Sequence, residues 1–371
     1  MINNYKFGPL DISINGPVEL VLEFAKDFEP KLDDSISCST DIALTFESTD
    51  VGISETHYSG KRTLYFNNDE ICFNTSQFYT AYVKGLFSED TTTIRIIQKK
   101  QSIDKRALNL LKRAISLEYS TKKGQLRNHI SNYSFLWAIL SIKLMKKGFV
   151  FLHAGVFSNK EKTIVVTGTG GCGKTSTVIN ACRNQGFDFL SEDFGIVSRN
   201  GTSFYCPKTI SLYKSDFKYY SDLERKVLSR LNLFSQLKWK ILTKLLRRNP
   251  IIKVQPNNIF EKIALEGKEI SNVYFFQRRK NEEQEVSCIE LDLLIERVSW
   301  ASYRELAPFM ALLSGIFANK DAMHHFDSPE EVRSSMLAIY RSAFKESKNQ
   351  LFSCYLTADP LEIMETLNET R

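Results

Sequence analysis

The sequence predicts an α/β protein with a mixed sheet, preceded by a β-rich N-terminal domain. Three observations predict this class. A glycine-rich loop at 168–175 lies between a run of strand formers and a helical segment. The strand-like segment 149–157 is separated from the loop's own strand by five polar residues, 158–162. Before them, residues 1–100 hold short alternating segments and turn pairs such as Asn15-Gly16, which are typical of β-structure.

The length of 371 residues predicts two domains, or one large domain with an insertion. We place a β-rich domain at 1–100, a helical bridge at 101–148 and the domain with the glycine-rich loop at 149–371. The last contains a basic helical insertion at about 214–253. With 43% hydrophobic and 25% charged residues, the chain has the composition of a globular protein with a substantial core.

The N-terminal elements follow from local patterns. Alternation predicts short strands at 10–14, 42–46, 62–66, 70–73 and 92–97. Helices are predicted from Pro17 through Phe28, at 102–119 and at 133–146, where Gly148 supplies the C-terminal cap. His57 in this part is predicted to be a surface residue.

The glycine-rich loop matches G-x-x-x-x-G-K-[ST] in the strand–loop–helix context that such a motif needs. Its backbone N–H groups and the helix N-terminus can surround a phosphate. Lys174 would reach the β- and γ-phosphates, and the Thr175 hydroxyl would bind Mg²⁺. The predicted nucleotide-binding residues are Gly168, Thr169, Gly170, Gly171, Cys172, Gly173, Lys174, Thr175 and Ser176.

Two alternatives remain for the same glycines. Gly168, Gly170 and Gly173 also spell G-x-G-x-x-G, with Asp193 about twenty residues later, which fits a dinucleotide-binding turn of a dehydrogenase. The second alternative is a glycine-rich turn that binds no ligand and has only a structural role. Lys174-Thr175 favours a nucleoside triphosphate, because a dinucleotide turn needs no lysine at this position.

A five-residue connection permits only an antiparallel hairpin, since a parallel crossover needs a dozen residues or more. The strand that enters the loop is therefore predicted to pair with the strand directly before it. Phe187–Leu190 is predicted to be a short buried strand, with Glu192 and Asp193 at its C-terminal end beside the loop. Two adjacent carboxylates there favour a bound cation. The alternative is a solvated turn.

The segments Leu152–Val156, Gly168–Thr175 and Phe189–Asp193, in this order and spacing, resemble the nucleotide domain of the HPr kinase family. That family is similar in fold to the phosphoenolpyruvate carboxykinases. The resemblance implies that His153 lies near the transferred phosphoryl group, that Glu192 is the general base and that Asp193 binds Mg²⁺ with Thr175.

The resemblance covers residues 149–215. Glu192 stands where the family usually has Asp, and the family's C-terminal signature segment is not found in the sequence. Related kinases carry a proline-containing strand where residues 205–213 lie, and Lys208 either faces the site or is solvated. Arg278 or Arg279, in a predicted turn between strands at 272–277 and 285–291, would stabilise the transferring phosphate or lie exposed.

Residues 214–253 contain eleven basic and three acidic residues, a net charge of +8. Leucines and Trp239 interleave with these charges, which predicts a basic amphipathic helix or helix pair. It could contact an anionic membrane, hold an acidic substrate over the site, or be a solvated insertion. Nucleic acid is disfavoured because no aromatic-interleaved binding motif accompanies the charges.

Seven scattered cysteines without a CxxC pair, and no signal peptide at the N-terminus, predict a cytoplasmic protein with reduced thiols. His324-His325 has no partner at ligand spacing, so no metal site is expected there. We interpret the chain as a kinase that uses Mg²⁺ with ATP, or with ADP or pyrophosphate, and a hydroxyl acceptor on a small molecule, lipid headgroup or peptide serine. The alternative is a nucleotide-binding switch or ATPase that acts through a protein partner. A homo-oligomer is possible.

Overall fold

The computed structural model describes the chain in segments. They are residues 2–25, 40–47, 57–59, 64–67, 70–73, 79–88, 90–98, 136–218, 220–231, 233–245, 249–279, 284–307, 310–311, 314–315, 329–355, 363 and 365–367.

The chain divides into two compact units. The first comprises Met1–Phe151 and Ser302–Tyr340, and the second comprises Leu152–Ala301 and Arg341–Arg371. This division departs from the predicted boundaries, because residues 302–340 group with the N-terminal part of the chain. Periodicity in a sequence can indicate a helix, but it does not tell which of two cores the apolar side of that helix joins.

An eight-stranded sheet forms the basis of the first unit. Its strands are β1 (Ile2–Phe7), β2 (Leu10–Asn15), β3 (Ile42–Glu47), β4 (His57–Ser59), β5 (Leu64–Asn67), β6 (Glu70–Phe73), β7 (Tyr79–Lys84) and β8 (Thr92–Gln98). They lie in the order β1-β2-β3-β8-β7-β6-β5-β4, and β3 is parallel to both β2 and β8. The strands predicted at 10–14, 42–46, 70–73 and 92–97 are confirmed, and the one predicted at 62–66 overlaps β5, whereas β1, β4 and β7 were not predicted.

Two helices of the first unit are α1 (Val18–Ala25) and α2 (Leu136–Lys146). The second confirms the helix predicted to end before Gly148, which has a φ of +79°. It is anchored by Trp137, whose ring lies 5.5 Å from that of Phe7. Lys143 is buried and donates to the main-chain oxygens of residues 88 and 90. The helix predicted at 102–119 lies outside the described residues, as does the His324-His325 pair.

The second unit is a mixed α/β structure, as predicted. Its strands are β10 (Ala154–Ser158), β11 (Thr163–Gly168), β12 (Asp188–Ser191), β13 (Gly195–Ser198), β14 (Thr202–Phe204), β15 (Ile210–Tyr213), β16 (Ile251–Val254), β17 (Lys268–Glu269), β18 (Asn272–Arg279), β19 (Glu285–Cys288) and β20 (Lys348–Tyr355), and β9 (Phe149–Leu152) precedes them. Its helices are α3 (Lys174–Asn184), α4 (Ser221–Ser229) and α5 (Leu233–Lys240), and the unit boundaries fall inside α6 (Leu291–Glu305) and α7 (Pro329–Phe344). Single helical turns are found at Lys214–Lys218, Ile241–Leu245 and Pro256–Asn258.

The principal sheet of this unit has the order β12-β10-β11-β18-β20-β19. The predicted hairpin is confirmed, since β10 and β11 are antiparallel with Ala154 opposite Thr167. On the other side, β11 pairs in parallel with β18, and Gly168 lies opposite Phe276. The strand that enters the glycine-rich loop is thus central, with an antiparallel neighbour on one side and a parallel neighbour on the other.

Three strand predictions need correction. The strand predicted at 149–157 is divided at His153 into β9 and β10, and the strand predicted at 205–213 is confined to Ile210–Tyr213. The segments 272–277 and 285–291 do not form a hairpin, because β20 lies between β18 and β19 and pairs with both. Local periodicity cannot reveal that a strand from near the end of the chain inserts between two sequential ones.

The basic insertion contains the helix pair α4 and α5. Leu223 and Val227 of α4 and Trp239 of α5 are buried in the core of the second unit. The insertion is tied to α3 at two points, since Tyr220 donates its hydroxyl to the Ser176 carbonyl at 3.2 Å and Arg183 pairs with Asp222. The insertion is therefore held against α3, the helix that follows the glycine-rich loop. No helix among the described residues is long and apolar enough to span a bilayer.

Candidate functional site

The glycine-rich loop has the predicted setting, with β11 before it and α3 after it. A Cβ atom on Gly168 would lie 2.4 Å from the Phe276 carbonyl oxygen, and φ is +144°. Gly173 has φ +100°, where L side chains are strained. Both positions therefore require glycine, the first because β18 approaches closely and the second because of its backbone conformation.

Lys174 begins α3 and is buried, with 6% of its surface exposed. Its Nζ atom donates to the carbonyl oxygens of Gly168 at 2.9 Å and Thr169 at 3.0 Å, and lies 3.7 Å from Cys172 Sγ. The ammonium group is thus held within the curve of the loop. It places a positive charge next to the N-terminus of α3, where an anion is favoured.

His153 occupies the break between β9 and β10, and it is buried with 5% exposure. Thr167, the residue before the loop, donates its hydroxyl to the His153 carbonyl at 2.9 Å. The Nδ1 atom of His153 donates to the Asp193 carbonyl at 3.1 Å and lies 3.2 Å from Asp193 Oδ1. Since both neighbours are oxygens, Nδ1 carries the proton. The hairpin thus brings the imidazole to Asp193, one of the two adjacent carboxylates.

Glu192 and Asp193 follow the end of β12, and their side chains make different contacts. Thr175 donates its hydroxyl to Glu192 Oε1. Asp193 pairs through Oδ2 with Lys208 and through Oδ1 with His153. The contact of Thr175 is therefore with the first carboxylate, whereas the resemblance paired it with the second. Both carboxylates are only partly exposed and have protein partners, which argues against the alternative of a solvated turn.

The two carboxylates differ in acidity. Burial raises the pKa of Glu192 to about 7, the negative charge of Asp193 adds to the rise, and the bond from Thr175 opposes it. Burial also acts to raise the pKa of Asp193, but Lys208 and His153 outweigh it and hold that pKa well below its usual range. One carboxyl group therefore titrates near neutral pH while its neighbour stays ionised.

Lys208 faces the site, which decides between its two predicted positions. The N–H of Cys206 donates to the Leu190 carbonyl at 3.0 Å, so the chain runs beside the end of β12. Two residues later the Lys208 ammonium meets Asp193 and lies 4.5 Å from the ring centroid of Phe194. A lysine placed over an aromatic face and against a carboxylate stays charged and fixed.

Arg278 lies in β18 rather than in the predicted turn. It is two residues beyond Phe276, which pairs with Gly168, so it reaches the mouth of the loop. A Cβ atom built on Gly173 would lie 3.3 Å from a terminal guanidinium nitrogen of Arg278. An exposed position was left open in the sequence because the strand was predicted to end at residue 277, whereas β18 continues to Arg279. The side chain of Arg279 lies outside the described residues.

The helix after the loop packs on the hairpin at Gly155. A Cβ atom there would lie 2.3 Å from Val178 Cγ2. Val178 itself is fully buried. Only glycine allows α3 to approach β10 this closely, and the approach keeps the hairpin that carries His153 next to the loop. A glycine two residues after the histidine was the sequence signal for this packing.

The donor set near Thr175 fits Mg²⁺ chemically, since a hydroxyl and two carboxylates offer hard oxygen ligands. No cluster of three or more His, Cys, Asp and Glu side chains that could form a metal cage is found within the described segments. Mg²⁺ does not need one, because it is commonly held by one or two carboxylates together with substrate phosphates.

No protein-family model matches the chain. A search of curated proteins finds no match either.

Proposed function

We propose that this protein is a kinase that transfers a phosphoryl group from ATP, or from ADP or pyrophosphate, to a hydroxyl acceptor in the presence of Mg²⁺. One observation carries the proposal: two adjacent carboxylates with opposite pKa shifts lie beside a lysine-containing phosphate loop. Glu192 contacts the Thr175 hydroxyl, and Asp193 contacts His153 and Lys208. Pairs of titratable groups whose pKa values are pushed apart are typical of acid–base sites.

Glu192 is the proposed general base. A carboxylate with a pKa near 7 can accept the proton of an attacking hydroxyl at neutral pH, because its pKa matches the working pH. At its usual pKa of 4.5 the same group would be a much weaker base. The bond from Thr175 orients it toward the loop, where the donor's terminal phosphate would bind.

Lys174, His153 and Arg278 are proposed to stabilise the transferring group. Lys174 supplies a fixed positive charge within the loop, and Arg278 supplies a second one near Gly173. His153 is held by Asp193, which orients its ring. Fixed charges of this kind account for most of the rate in phosphoryl transfer, where the protein contributes positioning and electrostatics.

Mg²⁺ would be held by Thr175 and Asp193, and when bound it would neutralise charge on the donor's phosphate oxygens. Asp193 is suited to this role because its lowered pKa keeps it ionised at neutral pH. The contact of Thr175 with Glu192 makes Glu192 the competing ligand. Comparison of Asp193→Asn and Glu192→Gln separates these assignments: the variant that weakens Mg²⁺ binding, measured by titration calorimetry with ATP present, identifies the ligand.

The proposal is tested by incubation with labelled ATP and Mg²⁺, together with a metabolite extract, phospholipid vesicles or a serine peptide library, followed by mass spectrometry for new phosphate esters. Lys174→Ala should abolish ATP binding and product formation. The matched control is Lys160→Ala, which removes an exposed lysine from the turn between β10 and β11 and should leave both unchanged. Undiminished turnover in Lys174→Ala would refute a phosphate-loop kinase.

The same assays distinguish the alternative, a nucleotide-binding switch or ATPase that acts through a protein partner. Such a protein needs the loop but no base for an acceptor hydroxyl. Glu192→Gln would then bind nucleotide and partner normally, and any ATP consumed would yield only ADP and inorganic phosphate, with no phosphate ester of an acceptor. Tighter binding of NAD than of ATP would instead support the alternative of a dinucleotide-binding turn.

A further inference from the structure

The basic insertion carries an exposed side that is both apolar and basic. Leu233, Leu237 and Ile241 are exposed by 83%, 56% and 42%. Lys240 and Lys244 are exposed as well. We call these five residues the insertion face. Single apolar side chains are commonly exposed on protein surfaces and need no explanation. A contiguous patch of large apolar side chains is unusual and marks an interaction site.

The three apolar residues lie on one side of the helix. They are spaced by four, from α5 into the turn Ile241–Leu245, and residues at this spacing are neighbours on a helix surface. The other side of α5 is fixed to the protein by Trp239, which is 5% exposed. Its indole donates to Glu224 at 2.9 Å and packs edge-on against Phe217. Rotation of α5 cannot bury the leucines, so they face solvent.

The charge of the insertion is predominantly basic, and the two acidic residues of α4, Asp222 and Glu224, are paired with Arg183 and Lys214. Residues 225–260 contain nine basic residues and no acidic one. Besides the two lysines of the face, exposed positions hold Arg225, Lys226, Arg230 and Lys253. This charge is complementary to an anionic surface and repels a second copy of the same face.

We propose that the insertion face docks on an anionic lipid bilayer, with α5 lying in the plane of the interface. Leucine and isoleucine side chains enter the boundary between headgroups and acyl chains, and the flanking lysines remain at the lipid phosphates. Basic residues near such a surface each add to the attraction. Because Tyr220 and Asp222 hold the insertion against α3, docking does not require the protein to refold. The proposal is independent of the proposed kinase activity.

The test is co-sedimentation of the full chain with vesicles of phosphatidylcholine, with and without phosphatidylserine, at low and high salt. Wild type should bind only the phosphatidylserine vesicles. Leu233→Ser with Leu237→Ser keeps the charge and should weaken binding by more than about tenfold. Lys240→Gln with Lys244→Gln keeps the apolar residues and should cost about fivefold per lysine, with a smaller salt dependence.

The matched control is Leu265→Ser with Lys160→Gln. It removes one exposed leucine and one exposed lysine from elsewhere in the second unit and should bind as wild type does. Because the substituted side chains are exposed, all variants should keep the wild-type circular dichroism spectrum and ATP affinity. Absence of ATP affinity in wild type would refute the kinase and leave the vesicle result intact.

Absence of wild-type binding to phosphatidylserine vesicles would overturn the proposal, as would binding that survives loss of both leucines. Sedimentation velocity tests whether the insertion face binds a second copy of the chain. A dimer that is abolished by the leucine substitutions would show that this face binds a second copy and not a bilayer. Binding to polyglutamate as tight as to vesicles, and unaffected by those substitutions, would indicate an acidic protein partner instead.

Discussion

Replacement of Glu192 by Gln should make the protein more stable at alkaline pH while it removes the proposed phosphoryl transfer. In the folded protein the pKa of Glu192 is raised from 4.5 to about 7, chiefly by burial. The unfolded chain has no such burial, so its carboxyl group ionises at the ordinary pKa. The folded state therefore holds this proton more tightly than the unfolded state does.

The sign of the effect follows from this difference. As pH rises from 4.5 to about 7, the unfolded state loses the proton first, so the free energy of unfolding contributed by Glu192 falls. A shift of this size corresponds to about 3 kcal/mol over the full window, and about 2.5 kcal/mol between about pH 5 and about pH 8. The glutamine side chain in Glu192→Gln does not ionise and can still accept the Thr175 hydroxyl bond.

The assay is urea unfolding of wild type and Glu192→Gln, without Mg²⁺, at intervals across this pH range. The difference between the two free energies of unfolding reports chiefly on Glu192, since Asp193 stays ionised across this pH range and groups distant from the site titrate equally in both proteins. The variant should gain about 2.5 kcal/mol relative to wild type from about pH 5 to about pH 8. Parallel curves would refute the raised pKa, and with it the argument that Glu192 is a base tuned to neutral pH.

Two further predictions concern the support of the site. Lys208→Met should lower the free energy of unfolding at pH 7 by about 2 kcal/mol, because it leaves a partly buried carboxylate without its cation. The loss should shrink as pH falls and Asp193 is protonated, and a constant loss in urea unfolding would contradict the ion pair. Gly155→Ala should destabilise by about 1–3 kcal/mol through overpacking against Val178. Val178→Ala should offset part of that cost in a double-mutant cycle, and strict additivity would show that the close approach is absent.

The parts of the site that sequence analysis predicted are the local ones. The loop is a strict spacing motif, and the antiparallel hairpin follows from the five residues that join β10 to β11. Glu192 could be placed because it follows a predicted short strand, whereas the position of His153 in the site was implied by the family resemblance. The mixed α/β class depended on the same segments. Their chemical roles stay predictions.

Lys208 and Arg278 could be named as candidates from the sequence, but whether either side chain reaches the site could not be decided from it. Lys208 follows β12 by many residues and reaches Asp193 only because Cys206 bonds to the end of that strand. Arg278 depends on the parallel pairing of β11 with β18, which are separated by more than a hundred residues. Pairing at such separation is decided by the whole core, and no local pattern encodes it.

The two adjacent carboxylates show how the fold creates different chemistry from similar residues. Neighbouring residues after a strand point in different directions, so Glu192 meets a neutral hydroxyl while Asp193 meets an ammonium and an imidazole. A protein that only binds nucleotide gains nothing from a carboxyl group whose ionisation costs stability at neutral pH. Such a cost at Glu192 is expected where the group must exchange a proton, which is consistent with its proposed role as a general base, whether the proton comes from an acceptor hydroxyl or from water.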